Sequence, residues 1–227
     1  MKTLLRVLKH NGLSLFFGVI FLAALFGQSV VGEARYNEEQ RVDGRAEVTY
    51  TEYVTSSDFA VDVTENWQSE YLQFLLYILA TVWLVQRGSP ESKELDKAGM
   101  EDDAHEKIGE HADADSPKWA RAGGLRARVY SWSLTLLMAT LFFGSWGAQS
   151  IAGLARYNEQ QLAQQQDPVR WAEYVAGPDF WSRTLQNWQS EFLAVGSMVV
   201  FSIYLRQRGS PESKPVGAPH AATSVTD

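Results

Sequence analysis

The chain has 227 residues, with no cysteine and only four histidines: His10, His105, His111 and His220. The absence of cysteine excludes disulfides, thiolate metal sites and a nucleophilic thiol, although it leaves the redox compartment open. The histidines lack the compact spacing of metal ligands, and nothing resembles a catalytic triad, a zinc signature or a phosphate loop. We therefore expect no enzymatic activity, no cofactor, no metal and no nucleic-acid partner.

Charge is missing from two long apolar runs, residues 13–31 and 133–152. As helices, both are long enough to cross a hydrocarbon core of about 30 Å. Two shorter apolar runs reach that length only if each is joined by the Asn-Trp-Gln-Ser-Glu (NWQSE) motif that precedes it. The pattern predicts four transmembrane helices, at about 13–31, 67–86, 133–152 and 188–206.

The chain also contains an internal duplication. Residues 11–93 align with 132–214 at a constant offset of 121, with 33 identities in 83 positions. The identities concentrate in the blocks ARYNE, NWQSE and QRGSPESK. We predict an all-α fold, a four-helix transmembrane bundle made of two parallel two-helix repeats with short external surface helices. The predicted divisions are repeats at 11–93 and 131–214, a linker at 94–130 that is acidic and then basic, and a disordered tail at 215–227.

Lysine and arginine set the predicted orientation. Fourteen of the 20 lie in the N-terminal, central and C-terminal segments, which places both termini in the cytoplasm and residues 32–66 and 153–187 outside. A cleaved signal peptide is the alternative for the first apolar run. Its internal copy, residues 133–152, cannot be a leader at that position, so we expect the first run to be retained.

The connecting segments have their own signals. Residues 94–117 carry nine carboxylates against two lysines and predict a flexible connector. In each QRGSPESK block, Gly88 or Gly209 suits the left-handed position after a helix, and the following Ser-Pro-Glu-Ser suits the start of a new one.

The polar candidates lie at the predicted outer ends of the helices. Glu70 and Glu191 directly precede apolar runs, where a carboxylate needs a partner or water. Pairing with Arg35 and Arg156 would make one structural clamp per repeat. The alternative is a binding site between the repeats, with oxygen ligands suited to a hard cation. Its candidate residues are Glu38, Asn66, Glu70, Glu159, Asn187 and Glu191.

Small residues within the first and third apolar runs predict that these two helices pack together. Each run has a small-xxx-small pair followed directly by a glutamine, which seeks a hydrogen-bond partner in lipid. The glutamines could instead line a polar permeation path. These residues are Ala23, Gly27 and Gln28 in the first run and Gly144, Ala148 and Gln149 in the third.

With NWQSE, an apolar helix, QRGSPESK and a preceding ARYNE segment in each copy, the chain resembles a family of bacterial integral membrane proteins grouped as a domain of unknown function. The resemblance implies an inner-membrane location and carries no activity, cofactor or catalytic residues. We expect a structural or interaction role in the cell envelope, with membrane lipids and an envelope protein or a second copy as partners. The alternative is a small transporter, channel or sensor.

Overall fold

The computed structural model describes residues 8–224, and that range is helical with no β-strand. Lys2 and Arg6, two of the predicted cytoplasmic cations, lie outside it, as do residues 225–227 of the tail. The described helices are α1 (Gly12–Val42), α2 (Tyr50–Val54), α3 (Ser57–Trp83), α4 (Lys118–Ala122), α5 (Gly124–Ser131), α6 (Ser133–Ala163), α7 (Trp171–Ala176) and α8 (Pro178–Tyr204), with a 3₁₀ turn at Gly109–His111.

Helices α1 and α6 continue about three turns past the apolar runs, through both ARYNE segments. Each then ends in the same way. Gly44 has a φ of +69° and Gln165 a φ of +58°, and the next amide donates back to Gln40 O or Gln161 O, over 2.8 Å in both cases. This left-handed C-terminal motif satisfies the last helical carbonyls.

The short helices α2 and α7 begin with a glutamate bonded back to the residue before the helix. Glu52 accepts from Thr49 N, and Glu173 accepts from Arg170 N, both over 2.7 Å. These bonds satisfy backbone donors that a helix start leaves free. The predicted short surface helices therefore exist, although their position relative to a membrane is a separate matter.

An aromatic residue at the start of each short helix bonds a serine of the preceding long helix. Tyr50 Oη lies 2.7 Å from Ser29 Oγ, and Trp171 Nε1 donates to Ser150 Oγ over 3.0 Å. The rings of Tyr53 and Phe59 are 5.5 Å apart, which ties α2 to the start of α3.

Two described helices are long and apolar enough to cross a membrane: Gly12–Val42 and Ser133–Ala163. Helices α3 and α8 have 27 residues each, but their N-terminal parts are polar and they do not meet that criterion. The all-helical fold is thus confirmed for residues 8–224, whereas the four-helix transmembrane bundle remains a prediction.

The chain divides into two compact units, and neither coincides with one sequence repeat. The first runs to Val63 and includes Ile151–Pro168; the second comprises Thr64–Ser150 and the chain from Val169 onward. In the second unit, buried Leu72, Leu75 and Phe142 form an apolar core flanked by Trp146 and Trp188.

One expectation about the connecting segments needs correction. No helix begins at the Ser-Pro-Glu-Ser segments; instead Ser92 Oγ accepts Gln86 N over 2.8 Å, and Ser213 Oγ accepts Gln207 N over 2.9 Å. Ser89 and Ser210, the serines expected to cap a helix, accept Glu91 N and Glu212 N within a turn, over 3.3 and 3.2 Å. Within the predicted tail, Thr223 Oγ1 accepts Gly88 N, and Ser224 N donates to Ser89 O.

Candidate functional site

The ARYNE segments meet in the first unit around two aspartates of α3. We call this group the ARYNE cluster: Arg35, Glu39, Asp58, Asp62 and Arg156. Arg156 lies between the aspartates, with Nε 3.0 Å from Asp58 Oδ1 and Nη1 2.9 Å from Asp62 Oδ1. Arg35 Nη2 is 3.5 Å from Asp62 Oδ2, and its Nε is 3.8 Å from Glu39. Asp62 therefore contacts the arginines of both ARYNE copies.

The two equivalent arginines have different surroundings. The Arg156 side chain is 15% exposed and that of Arg35 is 54% exposed. Burial raises the pKa of Asp58 above its usual range, although the neighbouring Arg156 acts in the opposite direction. The Arg156 Nε contact with Asp58 is not aligned as a hydrogen bond, so it acts as an ion pair. Arg156 is thus the cation that offsets a buried carboxylate.

A polar cleft of about 630 Å³ adjoins this cluster. It is lined by the arginines Arg35, Arg45 and Arg156, by Asp58 and by the equivalent pair Glu38 and Glu159. Within residues 8–224, no ion pair or hydrogen bond engages the Glu38 or Glu159 carboxylate, and both residues are exposed. The cleft therefore presents two unpaired carboxylates beside a cluster of two arginines and three further carboxylates.

The prediction that Arg35 and Arg156 pair with Glu70 and Glu191 was wrong. Both guanidinium groups bind the aspartates of α3 instead. Sequence reasoning missed Asp62 because it aligns with Arg183 in the second copy, and only shared residues were considered. In the second copy, Arg183 pairs with Asp179 at 3.2 Å and with Glu65 at 3.6 Å. The available signal was this reversal of charge between the copies.

The two NWQSE segments meet in the second unit. Trp188 Nε1 of one motif donates to Gln68 Oε1 of the other over 2.8 Å, and Gln68 is fully buried. Glu191 lies beside Ser69 and within electrostatic range of Glu70. Asn187 donates to Arg183 O over 3.0 Å, and Asn66 is an exposed residue of α3. The predicted meeting of the motifs is therefore present, through tryptophan and glutamine.

An aromatic group surrounds this contact. The Trp146 ring stacks on Phe142 at 5.6 Å and lies 6.2 Å from Trp188. The rings of Phe180 and Trp181 lie within about the same range, at 5.9 and 6.0 Å. Aromatic contacts of this kind add stability beyond the apolar area that they bury. The Trp188 to Gln68 bond therefore lies beside a group of packed aromatic rings.

The predicted helix-packing residues divide between the units. Ala23, Gly27 and Gln28 lie on α1, and Gly144, Ala148 and Gln149 lie on α6. A Cβ added at either glycine meets no described heavy atom within 4 Å. Gln149 is fully buried and neither of its amide atoms has a hydrogen-bond partner in the described chain, whereas Gln28 is exposed. Packing of the two helices stays a prediction.

Among residues 8–224, no three histidine or carboxylate side chains converge to hold a metal ion. In comparisons with known proteins, a family model with the description "Domain of unknown function" (DUF6766) matches residues 4–225. No curated protein and no solved structure matches the chain.

Proposed function

We propose, for a chain that belongs to this domain-of-unknown-function family, that it is a multi-pass protein of the bacterial inner membrane with a structural or interaction role. The observation that carries the proposal is the exposure of α6, an internal helix. Only 22% of the residues in its most apolar stretch of 18 are buried. The side chains of Leu134, Leu136 and Leu137 are each more than half exposed. A soluble protein rarely leaves so much contiguous apolar surface in water.

Two common explanations of an apolar helix do not suit α6. A signal sequence lies at the start of a chain, whereas α6 begins at Ser133. The core helix of a soluble protein is mostly buried, whereas this one is mostly exposed. Lipid is the remaining environment for its side chains, and α1, with 6% of the corresponding stretch buried, has the same need.

We extend the proposal to four crossings made of two tandem copies, with both termini cytoplasmic. The apolar C-terminal halves of α3 and α8 are short, but each helix of 27 residues is about 40 Å long and can cross if its NWQSE segment enters the interface. The distribution of lysine and arginine supports this orientation. The ARYNE cluster and its cleft would then lie outside.

In this arrangement, the ARYNE cluster and the Trp188–Gln68 bond each stabilise helix ends on the outer side, and the cleft contacts an envelope partner. The unpaired Glu38 and Glu159 suit a cationic group of that partner. No nucleic acid, cofactor or enzymatic activity is part of the proposal.

Membrane partitioning tests the central claim. The full chain, expressed in a bacterium, should stay in the membrane pellet after alkaline carbonate and enter solution only with detergent, because its exposed apolar side chains need lipid or micelle. Release by carbonate alone would contradict an integral location. A peripheral protein expressed beside it, which carbonate should release, provides the control.

A small transporter, channel or sensor is the second candidate, and the proximity of Glu70 to Glu191 favours it. Glu70→Gln and Glu191→Gln separate the two roles. A structural clamp loses folded yield in either variant, whereas a site loses ion or ligand response while the protein still assembles. If yield, assembly and measured ion flux all stay unchanged, these carboxylates serve neither role.

A further inference from the structure

The C-terminal residues of the described chain fold back on the first of the two Arg-Gly-Ser-Pro turns. Gly88 N donates to Thr223 Oγ1 over 2.9 Å, and Ser224 N donates to Ser89 O over 3.2 Å. Both backbone groups belong to a turn that is more than 120 residues away in the sequence. Residues 215–224, which we call the strap, therefore cover this turn.

The side chain of Lys214 links the strap to the turn by hydrogen bonds to both. Its side chain is almost completely buried, with the residue 1% exposed. The ammonium lies 2.6 Å from Gly88 O and 2.9 to 3.3 Å from three strap carbonyl oxygens, those of Pro219, His220 and Ala222, so that at least one of its three N–H groups is shared between two acceptors. A buried ammonium is tolerated only when its donors are satisfied, and here backbone oxygens satisfy them.

Gly88 is shaped to receive the strap. Its φ of +85° favours glycine, and a Cβ added there would overlap the carbonyl oxygen of His220. The backbone of the strap thus passes directly over the Cα of Gly88. Any larger residue at this position would displace it.

The second turn offers an internal comparison. Gly209 has almost the same conformation as Gly88, with a φ of +82°. Ser213, the equivalent of Ser92, closes its turn. A Cβ added at Gly209 meets no described heavy atom within 4 Å, and the turn borders an open cleft of about 730 Å³. Lys93, the equivalent of Lys214, contacts the Glu101 carboxylate instead. The copies share the turn and differ in the strap.

We propose that residues 215–224 are a strap that closes over the first Arg-Gly-Ser-Pro turn with the Lys214 ammonium as its lock, while the second turn stays open. The strap is an intramolecular ligand of one copy of a duplicated turn, and its release uncovers the backbone groups of Gly88 and Ser89. This device is independent of the membrane role proposed above.

Amide hydrogen exchange in the unmodified protein gives the first test. Arginine precedes and serine follows both Gly88 and Gly209, so the two amides have similar intrinsic exchange rates. Protection by Thr223 should slow exchange of the Gly88 amide at least about tenfold relative to that of Gly209. Equal exchange of the two amides would overturn the proposal.

Matched glycine variants give the second test. Gly88→Ala and Gly209→Ala introduce similar backbone strain, but only the first collides with the strap. Elastase, which cleaves after alanine and valine, should cut the strap of the Gly88→Ala protein about tenfold faster, and the strap of Gly209→Ala at the wild-type rate. Equal cleavage of both variants would show that the strap does not depend on Gly88.

The lock is tested in the same assay. Lys214→Met keeps the aliphatic stem and removes the donors, so strap cleavage should rise about tenfold, whereas Lys93→Met should leave it unchanged. Wild-type cleavage in Lys214→Met would exclude the ammonium as the lock. Melting temperatures of all four variants, measured in detergent, identify any variant that loses the overall fold. The exchange test uses the unmodified protein, so it still tests the strap if a variant fails to fold.

Discussion

Arg35 and Arg156 occupy the same position in the two copies, but they differ in burial and in their ion-pair partners. Arg156 bridges Asp58 and Asp62 in a largely buried setting, whereas Arg35 is more than half exposed beside Asp62 and Glu39. Exposed ion pairs contribute little, because water competes for both charges and the side chains lose freedom. A buried guanidinium with two carboxylate partners cannot be removed or reshaped without leaving one of them unsatisfied.

Charge-conserving substitutions should therefore separate the two arginines. Arg156→Lys should lower the free energy of unfolding by about 1–2 kcal/mol, because a point ammonium cannot span both aspartates as the guanidinium does. Arg35→Lys should change it by less than about 0.5 kcal/mol. Unfolding by sodium dodecyl sulfate in mixed micelles measures both. A loss that is equal in the two variants would show that burial does not distinguish them.

At this scale, the sequence identified the right cations and the wrong anions. The arginines stood out because ARYNE is shared by the copies, and Glu70 and Glu191 stood out because they border apolar runs. Asp62 is neither shared between the copies, since its counterpart is Arg183, nor next to an apolar run. Pairing depends on which helix faces which, and two copies that have diverged in charge cannot keep symmetrical ion pairs.

Among the elements, the short helix α2 is fixed against α1 at a glycine. A Cβ added to Gly32 would overlap the hydroxyl of Tyr53, a residue that is itself almost fully buried. Gly18 lies on the same helix, and a Cβ there meets no described heavy atom within 4 Å. The two glycines differ in their contacts while sharing helical backbone.

Alanine substitution should thus have opposite effects at these positions. Gly32→Ala should destabilise the fold by about 1–3 kcal/mol, because the Tyr53 ring must move out of a packed site. Gly18→Ala should be neutral or stabilising by up to about 1 kcal/mol, since alanine favours a helix over glycine. Thermal unfolding in detergent measures both. If Tyr53→Phe restores part of the stability of Gly32→Ala, the clash is with the hydroxyl.

Helix positions were more predictable than helix ends. The uncharged runs located α1 and α6, but apolarity reports the environment and not the backbone, so both helices continue through the polar ARYNE segments. The QRGSPESK blocks predicted the left-handed glycines correctly. They misled on the next element because a serine before proline can begin a helix or a turn, and the hydroxyls of Ser89 and Ser210 accept Glu91 N and Glu212 N in turns.

For the whole molecule, the remaining question is the number of crossings. Two helices meet the length and apolarity criterion, while the duplicated sequence and the cationic segments favour four. The two arrangements place the connecting segments differently. With four crossings, the segments after α1 and α6 share one side and the acidic linker takes the other. With crossings by α1 and α6 alone, the linker joins the segment after α1, and the segment after α6 is opposite.

The absence of cysteine makes this difference measurable with single introduced thiols. Ala46→Cys, Ala114→Cys and Asp167→Cys place one thiol in the segment after α1, in the linker and in the segment after α6, all at exposed positions. With four crossings, a membrane-impermeant maleimide added to intact cells whose outer membrane has been permeabilised should label the thiols at positions 46 and 167 and spare that at 114. Labelling at 46 and 114 with protection at 167 would establish two crossings. Labelling of all three after the inner membrane is lysed confirms that each thiol is reactive, so that protection reports its side of the membrane.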